Sequence, residues 1–196
     1  MVILPIKSFA MGKGRLSGVV EPEIRSRLSR ALAGRVATTV ATTGRTPLVV
    51  TGDSEVATWA EASGYTTIDD PGDGLSAAAR AGVSMAIDRT EPWLILHCDL
   101  PWITADDVEA VARPLEEGQP VIAPSADGGT SAIGSRGEFT FQFGPASFHR
   151  HIASLAGALV VARSGLLLDI DDPADLEAAT RSSRGAWLDG AMVPPD

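Results

Sequence analysis

Apolar runs that stop abruptly at acidic or turn-forming residues recur along the chain, and one of them organises the rest. Trp93-Leu94-Ile95-Leu96-His97-Cys98 ends in Asp99, and Pro101 breaks it off. A run bounded in this way predicts a strand buried on both faces of a parallel sheet, with its carboxylate delivered to the sheet's C-terminal edge. Gly165-Leu166-Leu167-Leu168-Asp169-Ile170-Asp171-Asp172-Pro173 has the same form. It predicts a second such strand, whose Asp169 and Asp171 lie two apart on extended chain and point the same way. Shorter runs predict strands at 2–6, 47–51, 65–68 and 120–123, and the alternation Phe139-Thr140-Phe141-Gln142-Phe143 predicts another. Between them the spacing turns helical. Glu21-Pro22-Glu23 opens a helix with proline early and acids in the first turn. Ile24, Leu28, Ala31, Leu32 and Val36 share one of its faces, which leaves Arg25, Arg27, Arg30 and Arg35 on the solvated side. Further helices are expected after Asp53 (carrying Val56, Trp59 and Ala60), from about 75 to 89, at 104–116 and at 174–180.

Strand and helix alternate every roughly 20 to 30 residues, the rhythm of a parallel sheet with right-handed crossovers. The expectation is an α/β, Rossmann-like single domain over 1–180, with a mostly parallel central sheet and helices on both faces. A polar tail, 181–196, containing Pro194-Pro195, is expected to be weakly ordered apart from Trp187.

Composition narrows the function. With 196 residues, 44% hydrophobic and 21% charged, the chain is long enough for one domain with a substantial core. No apolar stretch approaches a membrane span, and strand-like Val2-Ile3-Leu4 stands where a secretory leader would, so a cytoplasmic protein that avoids membranes is expected. A formal charge of −9 argues against a nucleic-acid surface, which needs clustered Lys and Arg. Cys98 is the sole cysteine, which excludes a disulfide framework or a Cys-based zinc site within one chain. The three histidines, His97, His149 and His151, are unsuitably placed for zinc, and His97 and His149 read as core or surface residues. The four tryptophans suit core or contact positions, and a monomer or a homodimer fits equally.

Candidate chemistry gathers at the predicted strand ends, where open α/β sheets bind ligands. Asp99, Asp169 and Asp171 form a set of oxygen donors suited to a hard divalent ion such as Mg2+. The alternative is that such acids cap helices or turns, as Asp106 and Asp172 are placed to do. The loop after the first strand, Lys7-Ser8-Phe9-Ala10-Met11-Gly12-Lys13-Gly14-Arg15, holds both lysines of the chain. Cations and glycine-freed N–H groups there suit a triphosphate, although the loop is neither a Walker A motif nor a dinucleotide fingerprint. Asp53, after strand 47–51, can contact a nucleotide or, more simply, cap the next helix. Gly74 permits close backbone approach, and Ser76 is placed for a ligand or the helix N-terminus. Two Gly- and hydroxyl-rich segments, Asp127-Gly128-Gly129-Thr130-Ser131 and Gly144-Pro145-Ala146-Ser147, suit an anionic substrate; an ordinary N-cap is the alternative for Ser147.

Together the Gly/Lys/Arg loop, Asp99-Leu100-Pro101, Gly128-Gly129-Thr130, the Gly144-Pro145-x-Ser147-Phe148-x-x-His151 run and Asp169-Ile170-Asp171-x-Pro173-x-Asp175-Leu176 closely resemble the 2-phospho-L-lactate and phosphoenolpyruvate guanylyltransferases of coenzyme F-420 biosynthesis. The resemblance runs from Leu4 to Leu176. It implies a GT-A-type nucleotidyltransferase that moves GMP from GTP to the phosphate of a small phosphorylated carboxylic acid, releasing pyrophosphate. It also implies that Asp99, Asp169 and Asp171 hold Mg2+, and that Asp99, Lys13 and Arg15 act in catalysis. Thr130, Ser131, Gly144 and Ser147 would bind the acid. Leu4, Pro5, Lys7, Lys13, Arg15, Asp53, Gly74 and Ser76 would line the nucleotide. Ser131 and Ser76 stand where this family often has Asn. The Ala-, Arg- and Gly-rich composition is that expected of the high-GC bacteria whose members of this family use phosphoenolpyruvate, so the resemblance implies that acid. A molybdenum-cofactor or sugar-phosphate nucleotidyltransferase is the enzymatic alternative, and a non-catalytic nucleotide-binding protein the alternative of another class.

Overall fold

The computed structural model describes residues 1–193. Its centre is a 7-stranded sheet formed by β1 (Val2–Pro5), β2 (Pro47–Thr51), β3 (Thr66–Asp69), β4 (Trp93–Leu96), β5 (Val121–Pro124), β6 (Thr130–Ser135) and β7 (Leu159–Val160), in the order β3-β2-β1-β4-β6-β5-β7. All pairings are parallel except those of β6, which runs antiparallel to both β4 and β5. The reversal follows from chain length: β5 and β6 are joined by a tight turn at 125–129, too short for a crossover.

The helices are α1 (Pro22–Thr42), α2 (Ser54–Ala62), α3 (Leu75–Asp88), α4 (Ala105–Glu116), α5 (Ser147–Ser154), α6 (Ser164–Leu167), α7 (Pro173–Arg181) and α8 (Trp187–Met192). Successive strand side chains point to opposite faces, and the core divides accordingly. Val2, Leu4, Val49, Leu94 and Leu96 face Val36, Val40, Val56, Val108 and Val111 of α1, α2 and α4. Ile3, Leu48, Val50, Trp93 and Ile95 face Ala78, Ala79, Val83 and Ala86 of α3, with Leu155 after α5. The mostly parallel sheet with helices on both faces is as the pattern of apolar runs predicts.

Several expectations are corrected. Phe139–Phe143 is extended but pairs with no strand. Side chains take its backbone groups instead: Gln142 N–H donates to His151 Nε2, Phe143 N–H to Ser76 Oγ, and the Gln142 carbonyl accepts from Arg150. The strand lies earlier, at β6, in the segment read as a glycine-rich loop. The run 165–169 is α6 followed by extended chain, not a strand of the sheet. Finally, the arginine side of α1 is solvated at Arg30 and covered at Arg27 and Arg35. Arg27 donates to the Met192 carbonyl and Arg35 lies over the Trp187 ring at 5.1 Å, because arginine stems and guanidinium faces accept apolar and aromatic cover. The tail expected to be loose thus forms α8, whose Leu188 is buried with Leu28 and Leu32 of α1. Pro194 and Pro195 lie outside the described residues.

Candidate active site

The C-terminal ends of β1, β4 and β5 open on one side of the sheet, and the charged residues of the site converge there. After β4 the chain carries Asp99. A backbone bond from Ile170 N–H to the Asp99 carbonyl, 3.1 Å, lays the Asp169-Ile170-Asp171 segment alongside it. A second bond, Ala126 N–H to the Leu167 carbonyl at 2.8 Å, ties the β5–β6 turn to the same segment. These two bonds gather acids that are far apart in sequence.

Asp127, Asp169 and Asp171 place one carboxylate oxygen each within 4.8 Å of one another. Burial, followed by the charges of Asp99, Asp171 and Asp127, pushes the Asp169 carboxyl up to about 7. Like charges held this close disfavour ionisation unless a cation intervenes. Lys13 supplies part of that charge: its Nζ lies 2.8 Å from Asp99 Oδ2 and 3.6 Å from Asp171 Oδ1. Burial works against the Lys13 ammonium, yet Asp99, then Asp171 and Asp169, hold its pKa above the usual lysine value. Asp99 is likewise buried at a cost, and Lys13 holds it below the ordinary carboxylate range. Asp99 Oδ1 remains buried with no hydrogen-bond partner. A buried carboxylate oxygen without a donor is costly, so this atom and the three clustered acids fit a divalent cation with oxygen ligands. Arg15 stands at the exposed rim, 3.8 Å from Asp171 Oδ2.

Lys13 owes its position to the backbone. It is in the left-handed conformation, φ 57°, ψ 40°, at the entry to a 3-10 turn over Gly14–Leu16. Leu16, buried at the turn's end, packs with Ile170 beside the acidic segment. A non-glycine residue in this region carries strain on the order of 1 kcal/mol, which surrounding structure must offset.

The cleft next to this cluster, ≈ 210 Å³, is lined by Pro5, Lys7, Lys13, Leu75, His97 and Asp99 among others. Of the residues read as nucleotide-lining, Pro5, Lys7 and Lys13 therefore border one space. Leu4 does not: its side chain is wholly within the core. Gly74, φ 84°, is the N-cap of α3, and Ser76 Oγ accepts from Phe143 N–H at 3.4 Å. Asp53 caps α2, its Oδ1 accepting from the Glu55 and Val56 N–H groups; the simpler of its two roles is the one seen. Another cavity, ≈ 290 Å³, opens at the opposite edge of the sheet. Its Arg45 is engaged at 2.7 Å by both Glu109 and Glu116.

The two hydroxyl-bearing segments meet. Phe148 N–H donates to the Gly128 carbonyl, and Ser147 Oγ lies 3.2 Å from Thr130 Oγ1. Both hydroxyls are almost fully buried. Gly144, φ 118°, turns the chain into α5 and accepts from Ser147 N–H through its carbonyl. Ser131 is a correction. As the neighbour of Thr130 on β6 it points to the opposite face, where its hydroxyl donates to the Ala123 and Pro124 carbonyls. Asp172 is a helix cap, closing a capping box with Asp175 at the start of α7.

Reading the sequence missed Asp127 and His151. Asp127 sits in the β5–β6 turn, where its Oδ1 accepts from Ser125 Oγ and Gly129 N–H. A Cβ at position 129 would crowd those atoms, which explains the glycine. The available signal was an acid in a tight turn between two strands that end at the site's edge. His151 is completely buried between Thr130 and Gln142; its signal was the fixed spacing from Ser147.

A mostly parallel sheet with one antiparallel strand inside it, and acids and a buried lysine at its C-terminal edge, fits a nucleotidyltransferase of the GT-A-like type, and residues 24–181 match the family described as MobA-like NTP transferase domain, to which the chain belongs. Among its curated relatives, a phosphoenolpyruvate guanylyltransferase of Sphaerobacter thermophilus is 34% identical over 187 residues, covering 90% of each chain. Another of that name, from Chloroflexus aggregans, is 33% identical over 94% of this chain and 98% of its own. A crystal structure from Desulfovibrio desulfuricans G20, described as that of a nucleotide-diphospho-sugar transferase, superposes with a TM-score of 0.76 at 17% identity, covering 97% of this chain and 95% of the other. That likeness speaks for the fold. Among the described residues no helix is long and apolar enough to cross a membrane.

Proposed function

We propose that the protein transfers GMP from GTP to the phosphate of phosphoenolpyruvate, with Mg2+, releasing pyrophosphate in coenzyme F-420 biosynthesis. The observation that carries the reading is the meeting, at one sheet edge, of the Asp99–Lys13 pair and the Asp127–Asp169–Asp171 cluster with the buried Thr130–Ser147 hydroxyls. The relatives named phosphoenolpyruvate guanylyltransferase support the choice of acid.

The chemistry asks little of general acids or bases. A substrate phosphate oxygen is already an anion at neutral pH; it attacks the α-phosphorus of GTP, the α–β phosphoanhydride bond breaks, and pyrophosphate leaves with the electron pair. The obstacle is repulsion between two polyanions. Bound Mg2+ would supply charge neutralisation, and Asp99, Asp169 and Asp171, with Asp127 beside them, would hold it. Lys13, kept charged by Asp99, stabilises negative charge on the transferring group, with Arg15 at the rim. Lys7, Pro5, Gly74 and Ser76 border the nucleotide, and Thr130, Ser147 and Gly144 hold the phospho-acid.

The test is pyrophosphate release from GTP and Mg2+ with phosphoenolpyruvate, 2-phospholactate and 3-phosphoglycerate in parallel, with ATP as control. Release with GTP and phosphoenolpyruvate is expected. Release only with another of the acids would reassign the substrate, and silence with all three would remove the reading.

A further inference from the structure

His151 is buried between Thr130 and Gln142. His151 Nε2 lies 2.9 Å from the backbone nitrogen of Gln142. That nitrogen can only donate, so Nε2 carries the lone pair, and the neutral ring bears its hydrogen on Nδ1. His151 Nδ1 lies 3.0 Å from Thr130 Oγ1 and therefore donates to it. The ring cannot easily turn over to escape this arrangement. It meets Phe143 edge-on, 4.9 Å between centroids at 81°, and contacts Phe139 and Phe141 as well. Arg150 straps the same segment to α5, donating to the Gln142 and Pro145 carbonyls.

Thr130 and Ser147 bring two hydroxyl hydrogens, and their mutual 3.2 Å contact uses one. The Nδ1–H of His151 occupies an acceptor position on Thr130, so the histidine takes neither of them. One hydroxyl hydrogen is left without a protein acceptor in a nearly solvent-free place. With the opposite tautomer, Nδ1 would accept from Thr130 and the pair would be satisfied internally.

We propose that His151 is a positioning residue that makes the Thr130–Ser147 pair a net hydrogen-bond donor toward an anionic oxygen of the phospho-acid substrate. This inference rests on the reading of Thr130 and Ser147 as acid-binding residues and adds the element that sets their polarity. An acceptor-rich carboxylate or phosphate suits the surplus hydrogen, and a hydrogen bond to a charged oxygen is stronger than a neutral one.

The full chain, wild type and His151→Asn and His151→Gln, is assayed for KM of phosphoenolpyruvate and of GTP separately. The Asn amide reaches the position of Nδ1 and can donate to Thr130; the Gln amide reaches that of Nε2 and leaves Thr130 without its donor. The expected result is a phosphoenolpyruvate KM raised about tenfold or more in His151→Gln, as loss of a hydrogen bond to a charged group implies, with recovery toward wild type in His151→Asn and an unchanged GTP KM in both. A phosphoenolpyruvate KM that is the same in both variants, with wild-type turnover intact, would overturn the role of His151 alone. Absence of wild-type turnover with the acid would remove the functional reading and this inference together. Nitrogen-15 NMR of histidine-labelled wild-type protein gives an answer even if a variant fails to fold: a protonated Nδ1 and bare Nε2 are expected, and a protonated Nε2 would overturn the proposal.

Discussion

At the scale of single residues, the site is governed by where charge is held without water. Asp169 is the sharpest case. Its carboxyl is pushed from an ordinary value up to about 7, so between pH 4 and 7 the native state binds a proton that the unfolded state has released. Stability of the metal-free protein should therefore fall as pH rises through that window, and the full cost should be present above it. The neutral Asp169→Asn lacks this cost. Its metal-free melting temperature is expected to exceed that of wild type at pH 8, with the gap closing toward pH 4, in thermal scans with chelator. Adding Mg2+ should raise the wild-type melting temperature at pH 8 and leave the variant nearly unmoved; the reverse pattern would remove the acids from metal binding. The same substitution, and Asp99→Asn, should lower turnover by roughly a hundredfold or more, as loss of a major electrostatic stabiliser does. Asp99, Asp169, Asp171 and Lys13 were legible in the sequence because acids that end apolar runs and lysines confined to one loop are local signals. Asp127 and His151 were not. Their meaning depends on a turn and a helix brought beside the other acids and hydroxyls by strand order, which no short window contains.

At the scale of elements, apolar period recovered what packing against a sheet dictates and missed what side chains dictate. β2, β4 and α3 fall close to their expected bounds, because continuous apolar runs and a 3.6-residue stripe each have one way to be buried. Phe139–Phe143 alternates like a strand, yet His151, Ser76 and Arg150 take the bonds that a neighbouring strand would have supplied. The run at 165–169 failed for a different reason. α6 is set by Arg163 and Asp107, an ion pair of 2.6 Å whose acid is buried and also closes the capping box of α4. A Cβ on Gly165 would fall within the Asp107 carboxylate, so Gly165→Ala forces α6 away from α4. Overpacking of this kind costs roughly 1–3 kcal/mol. Because α6 leads directly into Asp169, the variant should lose turnover as well as stability. Urea unfolding together with the pyrophosphate assay checks this; a destabilised variant with normal turnover would show that α6 does not position the acids.

For the whole molecule, α8, the last helix of the described residues, is part of the fold. Leu188 of α8 is fully buried among Leu16, Leu28, Leu32 and Ile170, the cluster that lies behind both the Lys13 turn and the acidic segment. Its polar surroundings disguised this in the sequence, since one leucine and one tryptophan in a short helix make no period. Leu188→Ala is expected to lower the unfolding free energy by about 2–5 kcal/mol, measured by denaturant titration, and to weaken Mg2+-dependent stabilisation because the same cluster supports both cationic and acidic arms of the site. A loss below about 0.5 kcal/mol, the range of a surface change, would mean that α8 is not anchored as described.

The most direct test of the central claim follows phosphorus itself. Wild-type protein, GTP, phosphoenolpyruvate and Mg2+ are monitored by phosphorus-31 NMR. The expected result is loss of the GTP and phosphoenolpyruvate resonances, appearance of pyrophosphate, and a pair of mutually coupled signals from a new diphosphate bridge joining guanosine to the acid. GDP with inorganic phosphate, or GTP and phosphoenolpyruvate resonances that both stay unchanged, would contradict it.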